Sequence, residues 1–228
     1  MKSVTLLSLL ALTSLSACKT TPDEFGLGDP VKALTPQEQV MVSARNAALE
    51  AQYKHIEKGA LSHAEKQYRN TPNAQNALHY TNLLRQVNMV HEAQMILKPF
   101  AIDPARTSPD ILNEYTKIKL SLGDFEQAQI FSQEAMTLDE MNAESQMLLG
   151  ITVDAQGHHQ AAENHFQQAL IKANLRPELQ STINNNLALS LLAQGKNDEA
   201  NALLQKVNGS SLQQNTVINA NKSFVKKL

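Results

Sequence analysis

Residues 149–166 read Leu-Gly-Ile-Thr-Val-Asp-Ala-Gln-Gly-His-His-Gln-Ala-Ala-Glu-Asn-His-Phe, and two segments with helical character meet in them at Gly157. Glycine tolerates the left-handed conformation in which many helices end, so Gly157 predicts a turn. Gly150 and Ala162, one on each side of that turn, are small enough to let two antiparallel helices cross closely. Phe166 is large enough to fill the space towards a neighbouring pair. These residues therefore predict a helix–turn–helix.

The same turn recurs along the chain. A Gly or Asn stands five residues before an alanine in five pairs, namely Gly59 and Ala64, Asn88 and Ala93, Gly123 and Ala128, Gly157 and Ala162, and Gly195 and Ala200. Because Gly and Asn are the residues that most readily adopt the left-handed conformation, each pair predicts the end of one helix and the start of the next.

Helix-start signals keep the same interval. Prolines that fit the first turn of a helix occur in Thr35-Pro36, Thr71-Pro72, Ser108-Pro109 and Arg176-Pro177, and Asn142 supplies a cap midway through the last interval. Helices are therefore predicted to begin near residues 36, 72, 109, 143 and 177. The two sets of signals together indicate five units of about 34 to 37 residues.

These units resemble the tetratricopeptide repeat (TPR), which has a Leu-Gly pair in its first helix and Ala-x3-Phe in its second. The fourth unit matches this pattern at Leu149-Gly150 and at Ala162 and Phe166, whereas the third has Thr116 where Gly is usual and Ser132 where an aromatic residue is usual. The resemblance implies an all-α protein. It also implies a right-handed superhelical TPR solenoid of about five helix–turn–helix units. The alternative is a non-repeating helical bundle with evenly spaced turns.

The repeats occupy residues 35–211, and a different segment follows them. Residues 212–228 carry apolar side chains at spacings that a helix can use. An array of repeats needs its last apolar face covered, so we predict that residues 212–228 form a capping helix.

The composition favours helix and argues against nucleic-acid binding. Of 228 residues, 42% are apolar and 18% are charged, and the chain has eight Gly, eight Pro and no Trp. Few turn residues and few aromatic residues favour helices over sheets. Twenty Lys and Arg against 22 Asp and Glu give a net charge of −2, which does not attract a phosphate backbone.

The amino terminus has the outline of a bacterial export signal. Lys2 precedes the apolar run 4–15, which at about 1.5 Å per residue is too short to span a hydrocarbon core of about 30 Å. Leu15-Ser16-Ala17-Cys18 resembles the lipobox of bacterial lipoproteins, and the resemblance implies cleavage after residue 17 and lipidation of Cys18. The alternative is a chance cysteine beside an ordinary cleavage site.

The segments around Cys18 complete this prediction. Residues 1–17 are predicted to be a lipoprotein signal peptide, and residues 18–34, with two prolines and two glycines, are predicted to be a flexible tether. Lys19 stands where an Asp would retain a lipoprotein at the inner membrane of enteric bacteria. By that resemblance we expect a lipid anchor in the outer membrane, with the protein facing the periplasm.

No residue pattern predicts catalysis, a metal site or a cofactor. Residues 158–165 include three histidines and Glu163, but helical geometry spreads these side chains around the helix. Residues 90–95 begin like a zincin motif, but Met95 stands where the second histidine is required. The Gly-x-Gly of residues 26–28 lies in the tether without a preceding strand, so it is not a phosphate loop. We therefore expect a protein that is not an enzyme.

The first helices of a TPR array line a concave groove, which is the default place for a protein partner. First-helix residues that are not needed between the helices of a pair are the candidates, and we call them the first-helix surface. They are Leu78, Asn82, Arg85, Asn113, Lys117, Leu120, Met147, Ile151, Asp154, Asn185, Leu189 and Leu192. The carboxyl-terminal part of this surface is apolar, which suits a helix or an extended apolar peptide.

Two other properties of the first-helix surface bear on its partners. The Lys/Asn/Arg clamp that some TPR adaptors use for a terminal carboxylate is not reproduced. The alternative for Met147, Ile151, Leu189 and Leu192 is that they pack inside the array or under the capping helix.

A lipobox followed by a TPR array is similar to the small TPR lipoproteins of bacterial envelopes. Residues 184–195 resemble the Asn-Asn-Leu-Ala segment of the TadD-like family of Tad/Flp pilus systems. This resemblance implies a non-catalytic assembly factor that contacts a secretin or pilus components. An envelope scaffold for peptidoglycan hydrolases or barrel assembly is the alternative, and an enzyme with a histidine–metal site is a third hypothesis.

Overall fold

The structure is a computed structural model that describes residues 35–53, 56–172, 176–207 and 212–225. These residues form eleven α-helices and no strand. The helices are α1 (Pro36–Gln52), α2 (Ala60–Asn70), α3 (Ala74–Gln86), α4 (Val90–Ala101), α5 (Pro109–Ser121), α6 (Phe125–Leu138), α7 (Ala143–Ala155), α8 (His159–Leu170), α9 (Pro177–Ala193), α10 (Asn197–Lys206) and α11 (Leu212–Val225). Four pairs of successive helices, α1–α2, α3–α4, α7–α8 and α9–α10, pack as the predicted hairpins, and α5 and α6 flank the predicted turn at Gly123.

The five predicted turn residues all have positive φ, from 62° at Asn88 to 86° at Gly157. The alanine five residues after each of the five turns is fully buried. A methyl group at this position lets the second helix pack closely against the first, which explains why the two residue types keep a constant spacing.

The predicted helix starts agree with the structure at α1, α5, α7 and α9, but α3 begins at Ala74 rather than near residue 72. The Asn73 side chain accepts a hydrogen bond from the Asn76 N–H at 2.9 Å, so Asn73 is the cap and Thr71-Pro72 precedes the helix. Ser108 and Asn142 cap α5 and α7 in the same way. The side-chain amide of Asn73, two residues after Thr71, thus caps α3 in place of the predicted Thr71-Pro72 signal.

The chain divides into two compact units between Leu122 and Gly123. In the N-terminal unit, which contains α1–α5, α3 packs against α2, α4 and α5. In the C-terminal unit, which contains α6–α11, α7 packs against α6, α8 and α9, and α11 packs against α9 and α10. The fully buried core side chains include Leu61, Leu84, Leu97 and Leu112 in the first unit and Leu148, Phe166, Ile183 and Leu204 in the second.

Two buried polar contacts join helices in addition to apolar packing. The Glu50 carboxylate on α1 accepts hydrogen bonds from the backbone N–H groups of Gly59 at 2.7 Å and Leu61 at 2.9 Å, so it caps the start of α2. The Asn221 side chain on α11 donates to the Asn185 Oδ1 on α9 at 3.0 Å. Both carboxylate and amide are buried, so these bonds fix the positions of α1 and α11.

The predicted signal peptide (1–17), Cys18 and the predicted tether (18–34) lie outside the described residues. So do residues 226–228, at the end of the predicted capping segment. Within the described part of the chain, no helix has the length and apolar character that crossing a membrane requires.

Candidate partner-binding surface

The first-helix surface contains partly exposed and buried residues. Five of its twelve residues are partly exposed, namely Leu78, Asn82, Arg85, Lys117 and Asp154. Seven are buried, namely Asn113, Leu120, Met147, Ile151, Asn185, Leu189 and Leu192. A partner can reach the first group without any movement of the helices. The role of all twelve residues in binding stays a prediction.

The exposed part of this surface in the N-terminal unit is organised around Glu114 on α5. Its carboxylate accepts a hydrogen bond from Arg85 Nε at 2.7 Å and lies 3.3 Å from Asn82 Nδ2. Lys117 Nζ lies 3.6 Å from the same carboxylate, whose side chain is only 3% exposed. A buried carboxylate is stable here because two cations and an amide surround it.

Glu114 was not among the residues predicted from the sequence. The sequence signal is the spacing of Glu114 and Lys117, which stand three residues apart in helix 109–121 and so share one face of it. Arg85 directs both Nε and Nη2 to Glu114, so Glu114 fixes the position of the guanidinium group on the surface. Gln86 also donates to Asn82 Oδ1 at 2.6 Å, so these side chains are held in place before any partner arrives.

The part of the surface in the C-terminal unit brings Asp154, His159 and Ser190 together. Asp154 Oδ1 lies 2.7 Å from Ser190 Oγ and 2.9 Å from His159 Nδ1. The serine hydroxyl also lies 3.0 Å from the backbone carbonyl of His159, but it makes no hydrogen bond to the imidazole. A serine nucleophile needs the imidazole as its base, so this arrangement links α7, α8 and α9 without forming a catalytic triad.

His165 is also engaged in contacts within the fold. His165 Nδ1 lies 2.7 Å from Nε2 of the buried Gln146, and burial lowers the pKa of His165. Gln146 Nε2 also donates to Gln168 Oε1 at 2.9 Å. Among the described residues, no group of three His, Cys, Asp or Glu side chains is placed to hold a metal ion.

Glu163 on α8 forms a buried contact with the turn before α10. Its Oε2 accepts hydrogen bonds from Lys196 Nζ at 2.7 Å and from Gln194 Nε2 at 3.0 Å, and its residue is 8% exposed. The hydrogen bond from Lys196 is the main cause that lowers the pKa of Glu163 below its ordinary value of 4.5, and burial opposes it. The ionised form therefore joins the fourth and fifth hairpins.

We expect Glu163→Gln to lower the free energy of unfolding by about 1 kcal/mol at pH 7, because it removes a charge-assisted hydrogen bond. A lowered folded-state pKa stabilises the fold above pH 4.5 and loses that effect as the pH falls through the folded value. The difference between wild type and variant should therefore shrink below about pH 4.5 in urea unfolding. The matched control is Glu134→Gln, an exposed residue of α6. A difference that stays constant from pH 7 to pH 3 would contradict this assignment.

Comparisons with known proteins identify the fold but indicate no function. No protein-family model matches the sequence, and no curated protein matches it. The structure is similar to TTC0263, a thermophilic TPR protein of Thermus thermophilus, with 19% identity, a TM-score of 0.64 and an alignment that covers 85% of this chain and all of that one. The chain has the TPR fold. It is also similar to the MamA protein, with 16% identity, a TM-score of 0.50 and coverage of 82% of this chain and 96% of that one.

Two residues, one on α5 and one on α6, depart from the repeat pattern. Thr116 stands where Gly is usual and Ser132 where an aromatic residue is usual, and both are fully buried. Ser132 Oγ donates to the backbone carbonyl of Gln129 at 3.0 Å, so the hydroxyl is satisfied inside its own helix. At these identities the likeness shows the fold alone.

Proposed function

We propose that this protein is a non-catalytic TPR lipoprotein, anchored in the outer membrane through Cys18 and facing the periplasm, that assists assembly of a Tad/Flp-type pilus or its secretin. The observation that carries the proposal is the TPR fold with a partly exposed, pre-arranged first-helix surface. The lipobox at residues 15–18 and the TadD-like segment at residues 184–195 support the location and the system.

The first-helix surface supports binding of a protein rather than of a substrate. Arg85 and Glu114 neutralise each other, and Asp154 is shared between Ser190 and His159, so the charged groups serve contacts within the fold. The side chain most open to a partner is the partly exposed Leu78, beside Asn82 and Lys117, which both contact Glu114. This mixture of one apolar side chain and a few hydrogen-bonding groups suits a peptide or a helix.

The second candidate is an envelope scaffold for peptidoglycan hydrolases or for barrel assembly. The same fold and the same lipobox favour it, because neither names a partner. The two candidates differ in which process fails when the protein is removed.

Complementation of a deletion strain tests the proposal. We expect the deletion to abolish assembled secretin multimers and surface pili, and the wild-type gene to restore both. Cys18→Ala should move the protein from the membrane fraction to the soluble fraction and should restore assembly poorly, because the acyl chains supply the membrane affinity.

The variant Leu78→Arg tests the first-helix surface in the same complementation experiment. It should remain membrane-bound and folded by thermal unfolding but fail to restore assembly, because it places a long cation where an apolar contact is expected. Normal pili and secretin in the deletion strain, together with defects in cell-wall cleavage or barrel insertion, would favour the second candidate instead.

A further inference from the structure

Exposed apolar side chains are concentrated at one place in the C-terminal unit, outside the first-helix surface. Ile130 and Leu138 on α6 are each 52% exposed, and Met141 in the following turn is 54% exposed. Ile171 at the end of α8 is 82% exposed. Lys172 Nζ donates to the backbone carbonyl of Glu140 at 2.6 Å, which brings Ile171 beside the turn that contains Met141.

Acidic residues alternate with the apolar residues along α6. Glu126, Ile130, Glu134 and Leu138 are four residues apart, so they form one stripe on the solvent side of the helix. Both glutamates are exposed, and in the described part of the chain neither of their carboxylates forms an ion pair. We call Glu126, Ile130, Glu134, Leu138 and Met141 the α6 stripe; its helical part, from Glu126 to Leu138, is about 18 Å long at 1.5 Å per residue.

The charge along the α6 stripe is mainly acidic, although Lys172 lies at its end beside the Glu140 carbonyl. Residues 120–171 contain eight of the 22 acidic residues of the chain and none of its 20 Lys and Arg residues. Glu163 in this segment is paired with Lys196, but Asp139 and Glu140 at the end of the stripe are exposed. The negative electrostatic potential of these acidic side chains repels phosphate groups and anionic lipid and attracts cationic polypeptide.

We infer that the α6 stripe is a docking surface for a basic amphipathic segment of a partner protein. The apolar side chains of that segment would cover Ile130, Leu138 and Met141, and its Lys or Arg side chains would pair with Glu126 and Glu134. The helical part of the stripe matches about 13 residues of helix. Because exposed charges are screened beyond about 8 Å at physiological salt, the pairing acts at contact distance and gives specificity to an otherwise weak apolar contact.

The test is a binding titration of the protein that spans residues 18–228 with three synthetic peptides of about 15 residues. The first is an amphipathic Lys/Leu peptide, the second has Glu for every Lys, and the third has Ser for every Leu. We expect the Lys/Leu peptide to bind at least about tenfold more tightly than either of the others, with an affinity that falls as salt is added.

Paired variants locate the contact. Glu126→Lys with Glu134→Lys should weaken binding of the Lys/Leu peptide by about tenfold or more, and Ile130→Ser with Leu138→Ser should weaken it severalfold with little change in its salt dependence. The control for charge is Glu178→Lys with Glu199→Lys, two exposed acidic residues of α9 and α10, and the control for apolar exposure is Val40→Ser on α1. Both controls should bind as wild type.

Three outcomes would overturn the inference. Equal binding of the Glu/Leu peptide would show that charge does not select the partner, and equal loss in the control variants would show that binding is not at the stripe. Concentration-dependent self-association that is lost with Ile130→Ser and Leu138→Ser would make a second copy the occupant. These measurements do not involve pili or membranes, so their failure is distinguishable from failure of the proposed function.

Discussion

Replacing Gly150 with leucine should lower the free energy of unfolding by about 3 kcal/mol and the Tm of the fold by roughly 6–12 °C. A Cβ atom at this position would lie 2.8 Å from Phe166 Cε1 and 3.2 Å from His165 Cβ, both on α8. Phe166 is fully buried, so its ring has no free space to enter. Leucine therefore pushes α7 and α8 apart at the point where they cross.

Two opposing effects determine the stability of the Gly150→Ala variant. Alanine stabilises a helix interior by about 1 kcal/mol relative to glycine, whereas the contact with Phe166 costs about 1 to 3 kcal/mol. We therefore expect Gly150→Ala to be destabilising, but less so than Gly150→Leu. Combining Gly150→Ala with Phe166→Leu should cost less than the sum of the two single changes, because the smaller side chain relieves the clash.

Urea unfolding measures these differences, and an exposed alanine supplies the control. Ala161→Leu on α8 adds a bulky side chain on the solvent side and should change the stability by less than about 0.5 kcal/mol. If Gly150→Leu unfolds at the same urea concentration as wild type, then α7 and α8 do not cross at Gly150 and the position of the repeat pattern on the chain is wrong.

The hairpins were predictable from the sequence because their signals are local. A residue with positive φ, such as Gly157, and a cap, such as Asn142, act within a few residues of where they stand, so each can be recognised without the rest of the fold. The start of α3 was placed two residues early for the same local reason. Asn73 and Thr71 are both good caps, and their contacts rather than their types determine which one is used.

The exposure of the first-helix surface was not predictable, because it depends on neighbouring helices. Asn185 was correctly placed on a first helix, yet it is fully buried because Asn221, 36 residues later, donates to it. Glu114 was missed because its importance comes from Arg85, 29 residues earlier. Helical periodicity identifies which side of a helix a residue occupies, but the depth of its burial is set by contacts one repeat away.

These contacts also show that the first-helix surface has two roles within each unit. In the N-terminal unit Arg85 on α3 is bound to Glu114 on α5, and in the C-terminal unit Ser190 on α9 is bound to Asp154 on α7. Both bonds join first helices of successive hairpins. The polar groups that face a partner therefore also hold the hairpins together, so a partner meets a surface whose side chains are already ordered.

Replacing Arg45 with methionine should lower the free energy of unfolding by about 3 kcal/mol, because it leaves a buried carboxylate without its cation. Arg45 on α1 donates to Glu92 Oε2 on α4 at 2.8 Å, and the two side chains are 11% and 9% exposed. Tyr80 completes the network, since its hydroxyl donates to Glu92 Oε1 at 3.1 Å. Burial, with the charge of Glu92, raises the pKa of Tyr80 well above its ordinary value, so this hydroxyl stays protonated and remains a donor.

The double variant Arg45→Met with Glu92→Leu separates the cost of an unpaired buried carboxylate from the loss of the ion pair itself. Replacing both charges with apolar side chains removes the unpaired carboxylate, so we expect the double variant to be more stable than Arg45→Met alone. Arg106→Met is the control, because the ion pair of Arg106 with Asp103 is about half exposed at 4.0 Å and its loss should cost less than about 1 kcal/mol even with its contact to the Phe100 ring. An Arg45→Met protein that unfolds at the same urea concentration as Arg106→Met would mean that α1 is not held to α4 by this ion pair.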